Sequence, residues 1–170
     1  MRQRSVPEEI MPSLFSCVGM IVVNWTFIEN ALDGWACAAF HDYPDLRVEK
    51  ELPRQFGRKL DFLRKSFRRI PGLSPFESEA LAFLDRAREL SGVRDSVVHG
   101  TLSDFDPQDE VFTFSKIDLT KDKRQHVFGE LRIRGADLVS AADELLAMAA
   151  QAQELSLRLL KLTEAQDNPG

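Results

Sequence analysis

The sequence predicts an all-α fold: a four-helix up-down bundle with a small β-hairpin inserted before the last helix. Three observations predict it. Four segments repeat apolar residues in alternating steps of four and three, which is the spacing of one helix face. The connections between them are short. One stretch, between 110 and 133, is instead built from two runs of β-branched and aromatic residues with a polar stretch between them. The 170 residues, 44% of them hydrophobic, suffice for one core. The predicted organisation is a single domain over 1–165, with the hairpin at about 110–133, and a disordered tail over 166–170.

The first helix is predicted from about Pro12 to Phe40. Leu14, Val18, Ile21, Trp25, Ile28, Leu32 and Trp35 form its stripe. Val22, Val23 and Phe27 widen the apolar surface beyond one face, which implies burial on two sides, under several helices or in a dimer. Tyr43-Pro44-Asp45 breaks the helix. The second helix is predicted from about Pro53 to Ile70, with Phe56, Leu60, Leu63, Phe67 and Ile70 on one face. Arg54, Arg58, Lys59, Arg64, Lys65, Arg68 and Arg69 make the other face basic. The third helix starts at Ser74-Pro75-Phe76-Glu77, a capping-box pattern with proline at the first helical position. It continues to His99, with Gly100 as its stop. EVFTFSKI (110–117) and HVFGELRI (126–133) form the hairpin, and Lys121, Asp122 and Lys123 belong to its turn. The last helix is predicted from about Ala136 to Leu162, with Leu138, Ala141, Leu145, Met148, Ala152, Leu155, Leu159 and Leu162 in one stripe.

A net charge of −5 argues against a uniform electrostatic grip on nucleic acid and leaves room only for a local basic patch. Cys17 and Cys37 fall on the first helix, roughly 30 Å apart along it, too far to bridge within one chain. They read as reduced thiols, with no zinc-like spacing, and neither a metal nor a cofactor is expected. The N-terminus, MRQRSVPEEI, lacks the apolar run of a signal peptide. The run CVGMIVVNWTFI covers only residues 17–28, too few to span a bilayer. A soluble, cytoplasmic protein that does not engage a membrane is expected.

One segment breaks the pattern: RDSVVHG, residues 94–100. The stripe of the third helix runs through Ala80, Leu84, Ala87, Ser91, Arg94 and Val98. Arg94 therefore falls on a packed face, where a guanidinium is costly unless paired. His99 follows five residues on, about 140° around an ideal helix. The two side chains converge only if the helix ends near Gly100 or if a second copy of the motif faces the first.

Arg94, Asp95 and His99 resemble the motif of HEPN domains, in which an arginine, often followed by a polar residue, precedes a histidine by four to six positions. Gly100 after the histidine resembles many members as well. The layout is similar over most of the chain: a long first helix with WTFIENAL, a second with LPRQFGRKLDFLRKSF, the motif late in the third, and a long last helix. The hairpin then looks like an insertion. The resemblance implies a metal-independent endoribonuclease that acts as a homodimer, a toxin or defence effector that leaves a 2′,3′-cyclic phosphate. By that analogy Arg94 binds the scissile phosphate and His99 acts as general acid or base. Asp95 would orient His99, being four residues earlier on the same face. Restraint by an antitoxin or another neighbouring-gene partner is implied, since no sensor domain is visible.

Plainer readings stand beside these. Arg94 and His99 can form a buried, helix-capping arrangement, with Arg94 bonded to Glu29 or another carboxylate. The same fold can serve as an inactive nucleotide- or protein-binding module, or as an antitoxin or adaptor. Glu29 is either a supporting carboxylate or a solvated flank residue, and Asn24 and Asn30 are weaker candidates. Arg58, Lys59 and Lys65 on the second helix could contact RNA phosphates, against the alternative of a solvated charged face. His41 and His126 read as surface residues, and the tryptophans as core or dimer-interface residues.

Overall fold

The computed structural model describes the backbone of residues 6–119 and 126–167, and side chains over 6–117 and 129–162. The expected turn at Lys121, Asp122 and Lys123, the side chain of His126 and residues 168–170 of the expected tail lie outside the described residues.

The chain is mostly helical, with four long helices: α1 (Met11–His41), α2 (Phe56–Arg69), α3 (Glu77–His99) and α4 (Gly135–Asp167). Short 3-10 segments lie at Pro44–Leu46 and Pro71–Phe76. In place of the expected two-stranded hairpin there is a three-stranded antiparallel sheet of β1 (Thr101–Asp106), β2 (Val111–Leu119) and β3 (His126–Arg134), in that order. Two compact units make up the chain: a first of 1–25 and 90–146, and a second of 26–89 and 147–170.

The first unit holds the sheet. Its core includes Leu14, Ile21, Trp25, Val97, Phe105, Phe112, Phe114, Leu138 and Leu145, all buried. Phe105 pairs with Phe112, which pairs with Ile133, so one sheet face is apolar. β1 escapes a period-2 reading because its register shifts between Leu102 and Asp104. Leu102 and Phe105, three apart, face Phe114 and Phe112, two apart. The extra residue, Ser103, is fastened by its hydroxyl, which donates to the Thr113 carbonyl at 3.1 Å and shares a hydrogen bond with the Ser115 hydroxyl at 2.6 Å. After β1 the Asp106 carboxylate accepts from the Gln108 amide at 3.1 Å, an Asx-type turn. Glu110 takes a left-handed φ of 50°, and its carbonyl accepts from the Gly135 amide at 2.9 Å, which fixes the start of α4.

The second unit packs around Trp35. Its ring meets Phe83 edge-on at 5.2 Å and Phe67 at 6.3 Å, and its indole N–H donates to the Ser156 hydroxyl at 2.8 Å. The predicted stripe of α2 is buried at Leu60, Leu63 and Phe67, and Ile70 just beyond it is buried too. α2 starts at Phe56 rather than Pro53, because Gln55 holds an extended backbone (φ −75°, ψ 136°). The predicted capping box does not form. The Ser74 hydroxyl instead donates to the Pro71 carbonyl at 2.9 Å within the 3-10 segment, and α3 begins at Glu77.

The α1 stripe is buried at Leu14, Ile21, Trp25, Ile28, Leu32 and Trp35, whereas Val22, Val23 and Phe27 are exposed. At 31 residues, with a mean hydropathy of 1.6 over its most apolar window, α1 is long and apolar enough to cross a bilayer by length and composition alone. That corrects the reading based on residues 17–28. The core helix of a soluble protein and a signal sequence pass the same test, and 28% of that window is buried.

Candidate functional site

The RDSVVHG segment ends α3 within the first unit. α3 ends at His99, and the Gly100 amide donates to the Ser96 carbonyl at 2.9 Å. A Cβ at Gly100 would stand 2.2 Å from that carbonyl oxygen and 3.3 Å from the Phe114 Cβ. The chain can pass from helix to strand here because residue 100 has no side chain.

Arg94 is half-buried. Its guanidinium carbon sits 5.6 Å from the centroid of the Trp25 ring, a cation–π distance. Its Nη1 donates to the Asp95 Oδ1 at 2.8 Å, with the two side chains 22% and 48% exposed. The predicted partial burial of a paired guanidinium is present. The packed positions around it differ by one: Val97 is buried and Val98 is exposed.

The structure does not join Asp95 to His99. Asp95 bonds Arg94, and among the described residues no hydrogen bond connects it to the imidazole. The physical reason is that a guanidinium–carboxylate bond to the neighbouring side chain, charged on both sides, is among the strongest hydrogen bonds available to the carboxylate. His99 is exposed at the last helical position. Glu29 is half-buried on α1, in the second unit. Asn24, in the first unit, is buried beside Trp25 in sequence, whereas Asn30 is exposed.

The basic residues of α2 divide sharply. Lys59, expected to reach RNA phosphates, is only 5% exposed and is ion-paired with Asp33, so it turns inward beside Leu60 on the packed side of the helix. Lys65 is exposed but bonds Glu49 at 2.7 Å. That bond, with the nearby charges of Lys65 and Arg58, holds the Glu49 carboxyl below the ordinary 4.5. Arg64 bonds Asp85 at 2.5 Å and holds its carboxyl below 3.8. Arg88 reaches Asp61 at 2.5 Å, and Arg68 lies 3.7 Å from Glu77. Arg58 stays exposed. Most of this face is therefore an ion-pair lattice within the second unit.

Sequence reasoning placed Trp25 in a core or interface and missed it as the platform under Arg94. The signal was weak, because a tryptophan on an apolar stripe carries no mark of a cationic neighbour. Gly100 was read as a helix stop. Its closeness to Phe114 depends on β2, which no local pattern at 100 reveals. Comparison with known proteins gives no match to any family model, curated protein or solved structure.

Proposed function

We propose that the protein is a metal-independent endoribonuclease of HEPN type, acting as a toxin or defence effector in the cytoplasm. The observation that carries the reading is a half-buried Arg94, within cation–π distance of Trp25, on the same helix as an exposed His99 at its end. In this reading the HEPN fold is a four-helix bundle with the sheet as an insertion. Arg94 takes a non-bridging phosphate oxygen and stabilises the charge that develops on it. His99 moves the proton of the attacking 2′-hydroxyl or of the departing 5′-oxygen. Asp95 is a positioning residue for Arg94, not for His99, and yields one guanidinium N–H to the phosphate as substrate binds. The homodimer would bring two motifs to one RNA strand, and the exposed Val22, Val23 and Phe27 suit an interface on α1. A neighbouring-gene antitoxin would hold the activity in check.

The test is the chemistry of the product ends. RNA cut in the presence of EDTA should carry 2′,3′-cyclic phosphate and 5′-hydroxyl ends, and 3′-hydroxyl ends would contradict the mechanism. A second reading, an inactive binding module, draws on the Arg94–Asp95 ion pair, which already satisfies part of the guanidinium. Saturable RNA or nucleotide binding without scission would favour it.

A further inference from the structure

α4 carries a second apolar stripe besides the one it buries. The helix runs unbroken from Gly135 to Asp167. Leu138, Leu145, Met148, Ala152 and Leu155 are buried on one side of it. Eight exposed positions between 136 and 160 follow one another on the other side in alternating steps of three and four. Six of them are apolar: Ala136, Val139, Leu146, Ala150, Leu157 and Leu160. The four large ones are 47% to 59% exposed. Asp143 and Gln153 fill the other two positions. Exposed leucines scattered singly are ordinary. A three-four spacing held along a whole helix face is the pattern of a helix that packs against another helix.

The order of these residues says which helix fits. Laid antiparallel on a second copy, with the twofold axis level with Met148, the stripe pairs with itself. Val139 meets Leu157, Leu146 meets Ala150 and Ala136 meets Leu160. The same register sets the Asp143 carboxylate opposite the Gln153 amide, a donor to it. Apolar meets apolar and polar meets polar at every step, and a polar pair of this kind fixes register. A parallel pair would instead oppose two Asp143 carboxylates, which repel.

We infer that this face of α4 binds a second copy of the chain as an antiparallel helix pair, roughly 36 Å long. It uses none of the α1 residues named for the ribonuclease dimer, and it does not rest on the ribonuclease reading.

The test is sedimentation equilibrium of the full chain at tens of micromolar. Leu146→Lys should halve the assembly mass with the helical circular dichroism unchanged, because position 146 is half exposed and a lysine three residues after Asp143 suits the helix. Gln153→Lys sets an ammonium against the partner's Asp143, twice per pair, and should tighten association about fivefold. Gln153→Glu sets a carboxylate there and should weaken association about fivefold. The opposite signs belong to the antiparallel register. In a parallel pair position 153 faces itself, and either charge would weaken it. A monomeric wild type, an unchanged mass in folded Leu146→Lys, or Gln153 variants that do not move in opposite directions would each overturn the inference.

Discussion

The Arg94 guanidinium lies 5.6 Å from the Trp25 ring centroid while its Nη1 bonds Asp95 at 2.8 Å. A ring contact on one side and a carboxylate bond on the other suit a planar, delocalised cation better than a compact ammonium. Arg94→Lys keeps the charge and loses the plane. It should lower RNA scission about tenfold or more while leaving the fold intact. Comparing cleavage rates with melting curves for the two proteins checks this, and full activity in the lysine variant would show that charge alone suffices.

The junction of α3 with β1 gives a contrast between two glycines. At Gly100 a Cβ would sit 2.2 Å from the Ser96 oxygen, which cannot move without unwinding the helix end. Gly100→Ala should cost about 1–3 kcal/mol, as overpacking does. At Gly92, on α3 itself, a Cβ meets nothing within 4 Å. Gly92→Ala should instead stabilise by about 0.5–1 kcal/mol through helix propensity. Urea denaturation of the two variants decides it, and opposite signs are expected.

Lys59 and Arg58 are neighbours with different tasks. Lys59 is buried and paired with Asp33, whereas Arg58 is exposed. Lys59→Met should leave RNA affinity unchanged and stability within about 1 kcal/mol, because an apolar residue replaces a costly buried charge. Arg58→Ala should weaken RNA binding and flatten its salt dependence. A filter-binding series across salt concentrations separates them, and equal losses in both variants would contradict the inward placement of Lys59.

The ion pairs of α2 make stability sensitive to acid. Glu49 and Asp85 are held below their ordinary values of 4.5 and 3.8 by Lys65 and Arg64. A carboxyl depressed in the folded state binds its proton less readily there than in the unfolded chain. Its stabilising contribution is therefore present above the ordinary value and lost as pH falls through the folded one. The melting temperature should fall as pH drops below 4.5, and in Lys65→Met the Glu49 titration should return toward 4.5. Carboxyl NMR titration reads this directly, and an unshifted Glu49 in the wild type would remove the cause.

The helices were legible because their cores repeat at helical spacing: Leu14 to Trp35 on α1, with Val18 only half-buried, Leu60 to Ile70 on α2 and Leu138 to Leu155 on α4 are buried where the pattern puts them. β1 was not legible, since the Ser103 irregularity puts Leu102 and Phe105 on one face at a spacing no strand pattern predicts. The capping box at Ser74 was misread because a serine hydroxyl serves a 3-10 turn as readily as a helix start. At the site, the partial burial of Arg94 was readable from the stripe. Its partners were not, because Asp95 could serve either Arg94 or His99, and geometry decided between them.

The most direct measurement of the central claim is the rate of RNA cleavage in EDTA by wild type, Arg94→Ala and His99→Ala, each first shown to be folded. The account predicts scission by the wild type and at least a hundredfold loss in His99→Ala, about the lower bound for a general acid–base residue. Undiminished cleavage in folded His99→Ala would contradict it.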